Sequence, residues 1–148
     1  MLLMTTTVSF LNRQVANLGL LYTKLHHHHW MVKGPHFFML HEKFEELYDS
    51  VAEHLDEVAE RVLALGGVPL ATMKQYLAEA TLNEAEGSYS AEEMVQSIVQ
   101  DFQTLIEEFQ SGIELAQGEN DEGSADLLIG LQSELQKQIW MLHSFLKN

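Results

Sequence analysis

Cysteine is absent from the 148-residue chain. That excludes disulfide bridges and thiolate metal centres, so any metal must be held by His, Asp, Glu or water. Proline is nearly absent: only Pro35 and Pro69 occur, each close to glycine, and "KGPH" and "LGGVP" are the two strong breaks in the chain. Basic residues are few, with 8 Lys plus Arg against 22 Asp plus Glu, for a formal net charge of −14. A nucleic-acid binder displaces counterions with clustered Lys and Arg. No such cluster or basic tail is present, so direct DNA binding is not expected. An acidic surface attracts cations instead, although it also serves plain solubility. No apolar run approaches the roughly 18 residues of a membrane span. The start, "MLLMTTTVSF", lacks a basic leading region and a clear cleavage site, so no secretory signal is expected. With no cysteine to oxidise, the chain fits the cytoplasm.

What is present is helical periodicity, with 46% of residues hydrophobic. Phe10, Val15, Leu18, Leu21, Leu25 and His29 recur at helical spacing before the first break. Phe37, Leu40, Phe44, Leu47, Val51, Leu55, Val58, Val62 and Leu65 continue the period after it. Two long helices joined by a turn this short are antiparallel neighbours. Thr72 and Gln75 have capping-box spacing for a short helix in "ATMKQYLAEA", and Ser90 and Glu93 have it for a long one through Met94, Ile98, Phe102, Leu105, Phe109 and Ile113. "AQGENDEGSA" reads as a loop, and Leu128, Leu131, Leu135, Ile139, Leu142 and Leu146 form a last helix. No strand pattern competes. The expected fold is all-α: one domain over residues 1–148, a four-helix bundle running up-down then up-down, with a short helix between the second and third long ones.

Six of the eight histidines fall in "LHHHHWMVKGPHFFMLHEKFEEL", Leu25 to Leu47. The run is internal, unlike a purification tag. His29 lies six residues before Pro35 and His41 six after it. Equal distances from an antiparallel turn put two residues at one height. Glu45 follows His41 by four residues, on the same face. Two imidazoles and a carboxylate on adjacent helices suit Fe(II), Zn(II) or Mn(II). A second pair, Asp56 and Glu60, lies on the same helix. Fifteen residues separate His41 from Asp56, about 22 Å along the axis, too far to share a metal within one chain. The two pairs nevertheless share one broad stripe, so two copies packed antiparallel about a two-fold axis would join the first pair of one to the second of the other. Alone, each pair is an ordinary solvated face; the argument rests on their joint spacing. His26, His27 and His28 cover about 200° of helix, so they cannot all be ligands. His26 is expected beside the site, and His27, His28 and His36 are expected to be bystanders. Trp30 and Trp140 are expected in the core.

These segments resemble a known family. "HHW", "GPHFFMLHEKFEELYD", "HLDEVAERVLALGG" and "IELAQGENDEGSADLLIGLQSELQKQIWML" are similar, in that order, to the signature segments of the Dps-like miniferritins (DNA-binding protein from starved cells), over about Asn12 to Leu146. The resemblance implies a ferritin-like bundle, a hollow dodecamer and an inter-subunit ferroxidase site, a di-iron site at which hydrogen peroxide is preferred as oxidant and behind which ferric mineral is stored. The ligands it implies are His29, His41 and Glu45 from one subunit with Asp56 and Glu60 from the neighbour. Glu45 departs from the Asp many members carry. The resemblance further implies that Trp30 intercepts oxidising equivalents beside the site. Glu42 and Glu46 match interior acids that nucleate mineral. Glu122 and Asp126 match acids of the three-fold pore, where Gln117 stands in place of a further acid. DNA condensation is the family's alternative role, and the missing basic tail argues against it here. No E-x-x-H occurs, which argues against the site of the larger ferritins.

Overall fold

The structure is a computed structural model and describes residues 6–147. Residues 1–5, which hold much of the stretch behind the expectations of no signal and no basic tail, lie outside those described, as does Asn148. The elements are α1 (Thr7–Met31), α2 (Phe37–Ala64), α3 (Met73–Glu79), α4 (Ala91–Gly118) and α5 (Glu122–Leu146). The all-α, ferritin-like bundle with its extra short helix is as expected, and there is no strand among the described residues. No described helix is long and apolar enough to cross a membrane.

Local chemistry sets the helix ends. Ser90 and Glu93 form the expected capping box on α4. Thr72 accepts from the Gln75 N–H, but the Gln75 side chain accepts from Ala71 N–H rather than closing on Thr72, so only half the expected box forms. A box between Thr6 and Ser9, not read from the sequence, opens α1. At the end of α2, Gly66 takes φ 85°, and the Gly66 and Gly67 N–H groups bond back to Leu63 and Val62. This is a Schellman closure, and only glycine adopts that φ without strain. The expected ten-residue loop before the last helix is only three residues long. Asn120 takes the left-handed conformation at φ 59°, and Asp121 both closes α4 onto Ala116 and caps α5 by accepting from Ser124 N–H. One residue serving both helix ends removes the need for a longer connection.

Helix direction corrects one expectation. The N-terminus of α1 meets the C-terminus of α4 through Thr7 and Glu119, and Lys24 meets Asp101. The end of α2 meets the start of α5 through Arg61 and Asp121. The order is therefore up-down-down-up, not up-down twice. The cause is visible along α1. Asn12 bonds Val68 and Leu70, Asn17 bonds Thr81 and Leu82, and Lys24 donates to the Asn83 carbonyl. The segment between α2 and α4 climbs the whole length of α1, so α4 starts at the opposite end of the bundle.

This climb buries α1 on every side: each residue from Gln14 to Leu21 is buried. Its inner face joins Phe44, Phe102, Phe109 and Leu128 in the core. Gly19 on its outer face lies under the Tyr76 ring of α3, where a Cβ would come within 2.7 Å. Trp30 and Trp140 are 68% and 66% exposed, so neither is a core residue of the protomer.

Asn17 is the fully buried anchor of the climb. Its carbonyl oxygen accepts from the Thr81 and Leu82 N–H groups and its amide donates to Gln14 and Thr81. Asn17→Ala leaves two backbone donors without a partner. It is expected to cost about 1–3 kcal/mol, read as a lower urea midpoint with faster hydrogen exchange at Thr81 and Leu82.

Candidate functional site

His29 sits in the last turn of α1, where the final carbonyls have no helical partner. His41 sits in the second turn of α2. Each ring reaches across the hairpin to the other residue's backbone: His29 Nδ1–H donates to the His41 carbonyl at 2.6 Å, and His41 Nδ1–H donates to the His29 carbonyl at 2.7 Å. A carbonyl can only accept, so both Nδ1 atoms carry the proton and both Nε2 atoms keep a free lone pair. The rings stack at 3.7 Å and 12°, and Phe37 stacks on the far side of His41. The equal-height expectation is met. The two-way clamp also fixes tautomer and ring plane before anything binds, which is what imidazole ligands require of their surroundings.

Glu45 reaches the pair, with Oε1 3.8 Å from His29 Nε2, although its side chain is half exposed. Asp56 and Glu60 are exposed further along α2 and lie against each other. The hydrogen bond that a protonated Glu60 donates to Asp56, followed by the like charge of Asp56, raises the Glu60 carboxyl above its ordinary value. A bound cation would relieve that repulsion. Because α2 is continuous over its 28 residues, the separation of about 22 Å between His41 and Asp56 stands. Among the described residues, no three His, Asp or Glu side chains of one protomer come close enough to hold a metal.

The remaining candidates lie apart from this cluster. Glu42 and Glu46 are exposed on the side of α2 that faces α5, beside a 310 Å³ groove lined by Met141 and Phe145, and Lys43 pairs with Glu46 at 3.7 Å. Glu122 and Asp126 are exposed on the first turns of α5, and Gln117 is exposed near the end of α4. Trp30 tilts against His26 at 5.2 Å.

Sequence reasoning missed Tyr48. It stacks on His26 at 3.8 Å and 17°, and meets His29 edge-on at 5.3 Å. Burial, and then the charge of Glu45, raise its phenol above the ordinary value. Its spacing was a legible signal, because Tyr48 is three residues after Glu45 and seven after His41, on the same helical face. His26 donates from Nδ1 to the Tyr22 carbonyl at 2.8 Å, which places it behind Tyr48, close to the site as expected. The buried pair Lys24 and Asp101, 2.8 Å apart, was also missed. His28, expected to be a bystander to the site, is engaged in packing: it is fully buried against Phe44 and Tyr89.

Comparison with known proteins bears on the family and the fold. The ferritin-like domain family matches residues 8–148. The chain is 52% identical over 139 residues to DNA protection during starvation protein 2 of Bacillus anthracis, covering 94% of this chain and 95% of that one. A crystal structure of a Dps protein from Bacillus brevis superposes with a TM-score of 0.94 at 48% identity, over 97% of this chain and 100% of that one. A structure of Dps from Listeria innocua soaked with cobalt gives a TM-score of 0.94 at 40% identity, over 97% and 93% of the two chains.

Burial, followed by the nearby charges of His27 and Lys24, lowers the His28 pKa to about 3. The unfolded chain therefore takes up a proton that the fold refuses. Stability is full above the ordinary value of 6.5 and falls as pH drops from there towards 3, with a slope approaching about 1.4 kcal/mol per pH unit. His54, lowered mainly by burial, adds in the same direction. His28→Leu is expected to flatten the stability profile between pH 6.5 and 5, measured by urea unfolding at each pH.

Proposed function

We propose that this chain, which belongs to the Dps-like miniferritins of the ferritin-like family, oxidises Fe(II) with hydrogen peroxide at sites shared by two-fold-related protomers. The ferric product is stored inside a dodecameric shell in the cytoplasm. The observation that carries this reading is the His29–His41 clamp. It presents two free Nε2 lone pairs beside Glu45, on the same straight helix as an exposed carboxylate pair that cannot reach them.

In this reading His29, His41 and Glu45 of one protomer face Asp56 and Glu60 of the next. Neutral imidazoles hold Fe(II), and carboxylates favour the more highly charged Fe(III) product and can bridge two irons. Two Fe(II) ions each give up one electron. The O–O bond of peroxide breaks, and with two protons it leaves as two waters, so no hydroxyl radical is released. Zn(II) and Mn(II) compete for the same donors. Trp30, exposed next to His26, stands where a stray oxidising equivalent would be taken up. Glu122 and Asp126 draw cations in at the start of α5, and Glu42 and Glu46 gather the ferric product. Protection of DNA, the role in the relatives' names, follows from removing iron and peroxide together. Direct DNA condensation is opposed by the net charge of −14.

A mixed-oligomer experiment tests the shared site. His41→Ala and Asp56→Ala homo-oligomers should each lose peroxide-driven iron oxidation. In a dimer with one chain of each kind, one site carries both lesions and the other carries neither. Random co-assembly of equal amounts should therefore restore about a quarter of wild-type activity. No recovery would place the complete site within a single chain. In the wild type, a peroxide pulse after anaerobic Fe(II) loading should consume about one peroxide per two irons, as the electron balance above requires. A ratio near one to one would mean single-electron chemistry.

A further inference from the structure

Asp56 and Glu60 are the half of the proposed site that the histidine clamp does not support. Both are exposed, and Glu60 lies near Ala64, the last residue of α2, where helix ends fray. Buried Val58 and Val62 hold this end of α2 along one line against the core, which alone leaves it free to roll about its own axis. Arg61 blocks the roll. Its Nη2 donates to Asp121 Oδ1 at 2.8 Å and its Nε to Ser124 Oγ at 2.9 Å. The acceptors are themselves fixed: Ser124 is fully buried and its Oγ donates to Asp121 Oδ2 at 2.6 Å. The guanidinium lies over Gly123, where a Cβ would come within 2.7 Å of Nη2. Among the described residues, no other hydrogen bond or ion pair joins α2 to α5 or its cap. The charge of Arg61 is met by Asp121, not by Asp56 or Glu60, so those carboxylates stay open to a cation.

We infer that Arg61 is a positioning residue for the carboxylate half of the shared metal site: its fork ties the last turns of α2 to the start of α5 and so fixes the direction in which Asp56 and Glu60 point. Adjacent residues of a helix are turned by about 100°, so pinning Arg61 to α5 sets where Glu60 faces. This inference rests on the proposed shared site but makes a separate claim, because the ligands alone do not require Arg61.

The test uses Co(II), added without oxidant to the assembled protein and followed by its visible absorption bands. Arg61→Gln removes the charged fork, and its cobalt affinity should fall about tenfold, as expected when the support of a ligand is lost. Gly123→Ala leaves Arg61 in the chain but pushes the guanidinium off its seat. Alanine favours the helix, so here affinity should fall while thermal stability holds or rises. A purely structural role would move the two together. Wild-type affinity in either variant would overturn the inference. Mixed assemblies then locate the lesion. Random co-assembly of equal amounts of Arg61→Gln and His41→Ala should give wild-type affinity at about a quarter of the sites. Arg61→Gln with Asp56→Ala should give none, because both lesions fall in the same half of the site. A chain that was merely unstable would recover with neither partner. Recovery with Asp56→Ala, or none with His41→Ala, would overturn the inference. The pairing of His41→Ala with Asp56→Ala separates the two levels. If it recovers while the Arg61 pattern fails, the shared site stands and the positioning role falls. If it does not recover, both fall together.

Discussion

The continuity of α2 governs what this chain can do. It runs unbroken from Phe37 to Ala64 and ends only where Gly66 turns left-handed. A straight rod of this length cannot bring His41 and Asp56 together, because each residue adds about 1.5 Å of axial rise. A kink would bend the two groups towards one another. Instead, buried Phe44, Leu47, Val51, Val58 and Val62 keep one face of the rod packed against the core, and the chemically interesting side chains project from other faces. The bundle thus works as a ruler that keeps an imidazole pair and a carboxylate pair at a set separation.

Much of this was legible because helices repeat. Apolar periodicity gave the four long helices, and counting from Pro35 placed His29 opposite His41, where the two rings stack. Helix direction was not legible. Periodicity reports which residues face inward but not which way a helix points, and the up-down-down-up order depends on where a climbing segment finds partners. Those partners are Asn12, Asn17 and Lys24 on α1, polar residues that look like surface residues in a one-dimensional pattern. The turn between α4 and α5 was overestimated for a related reason: "AQGENDEGSA" has the composition of a loop, but Asn120 and Asp121 satisfy both helix ends in three residues.

The histidine run shows what spacing can and cannot resolve. Four consecutive histidines point in four directions from a helix, and the structure gives each a different neighbourhood. His26 backs Tyr48, and His27 shares a nitrogen contact with His28 at 3.2 Å. His28 is sealed in the core and His29 is clamped across the hairpin. Counting selected His29 correctly as the partner of His41. It could not show that His28 is a core residue, because imidazole is equally at home in either setting. Both tryptophans were misplaced by the opposite rule. Bulk and apolarity argue for burial, yet in the protomer both are largely exposed, as they would be if other chains were to cover them.

The reciprocal hydrogen bonds of His29 and His41 use main-chain carbonyls, and that choice has its own consequence. An acidic outer partner would pull the imidazole proton, make the ring more basic and respond to pH. A peptide oxygen takes up no proton, so the clamp has no titrating outer partner, and the helices that fix the two carbonyls fix the two rings as well. A newly made chain would then carry a permanently cocked half-cradle that is harmless alone. On the shared-site reading, meeting a second chain is what arms it, and the cell gains a catalyst that cannot start work on loose iron before its container has been built.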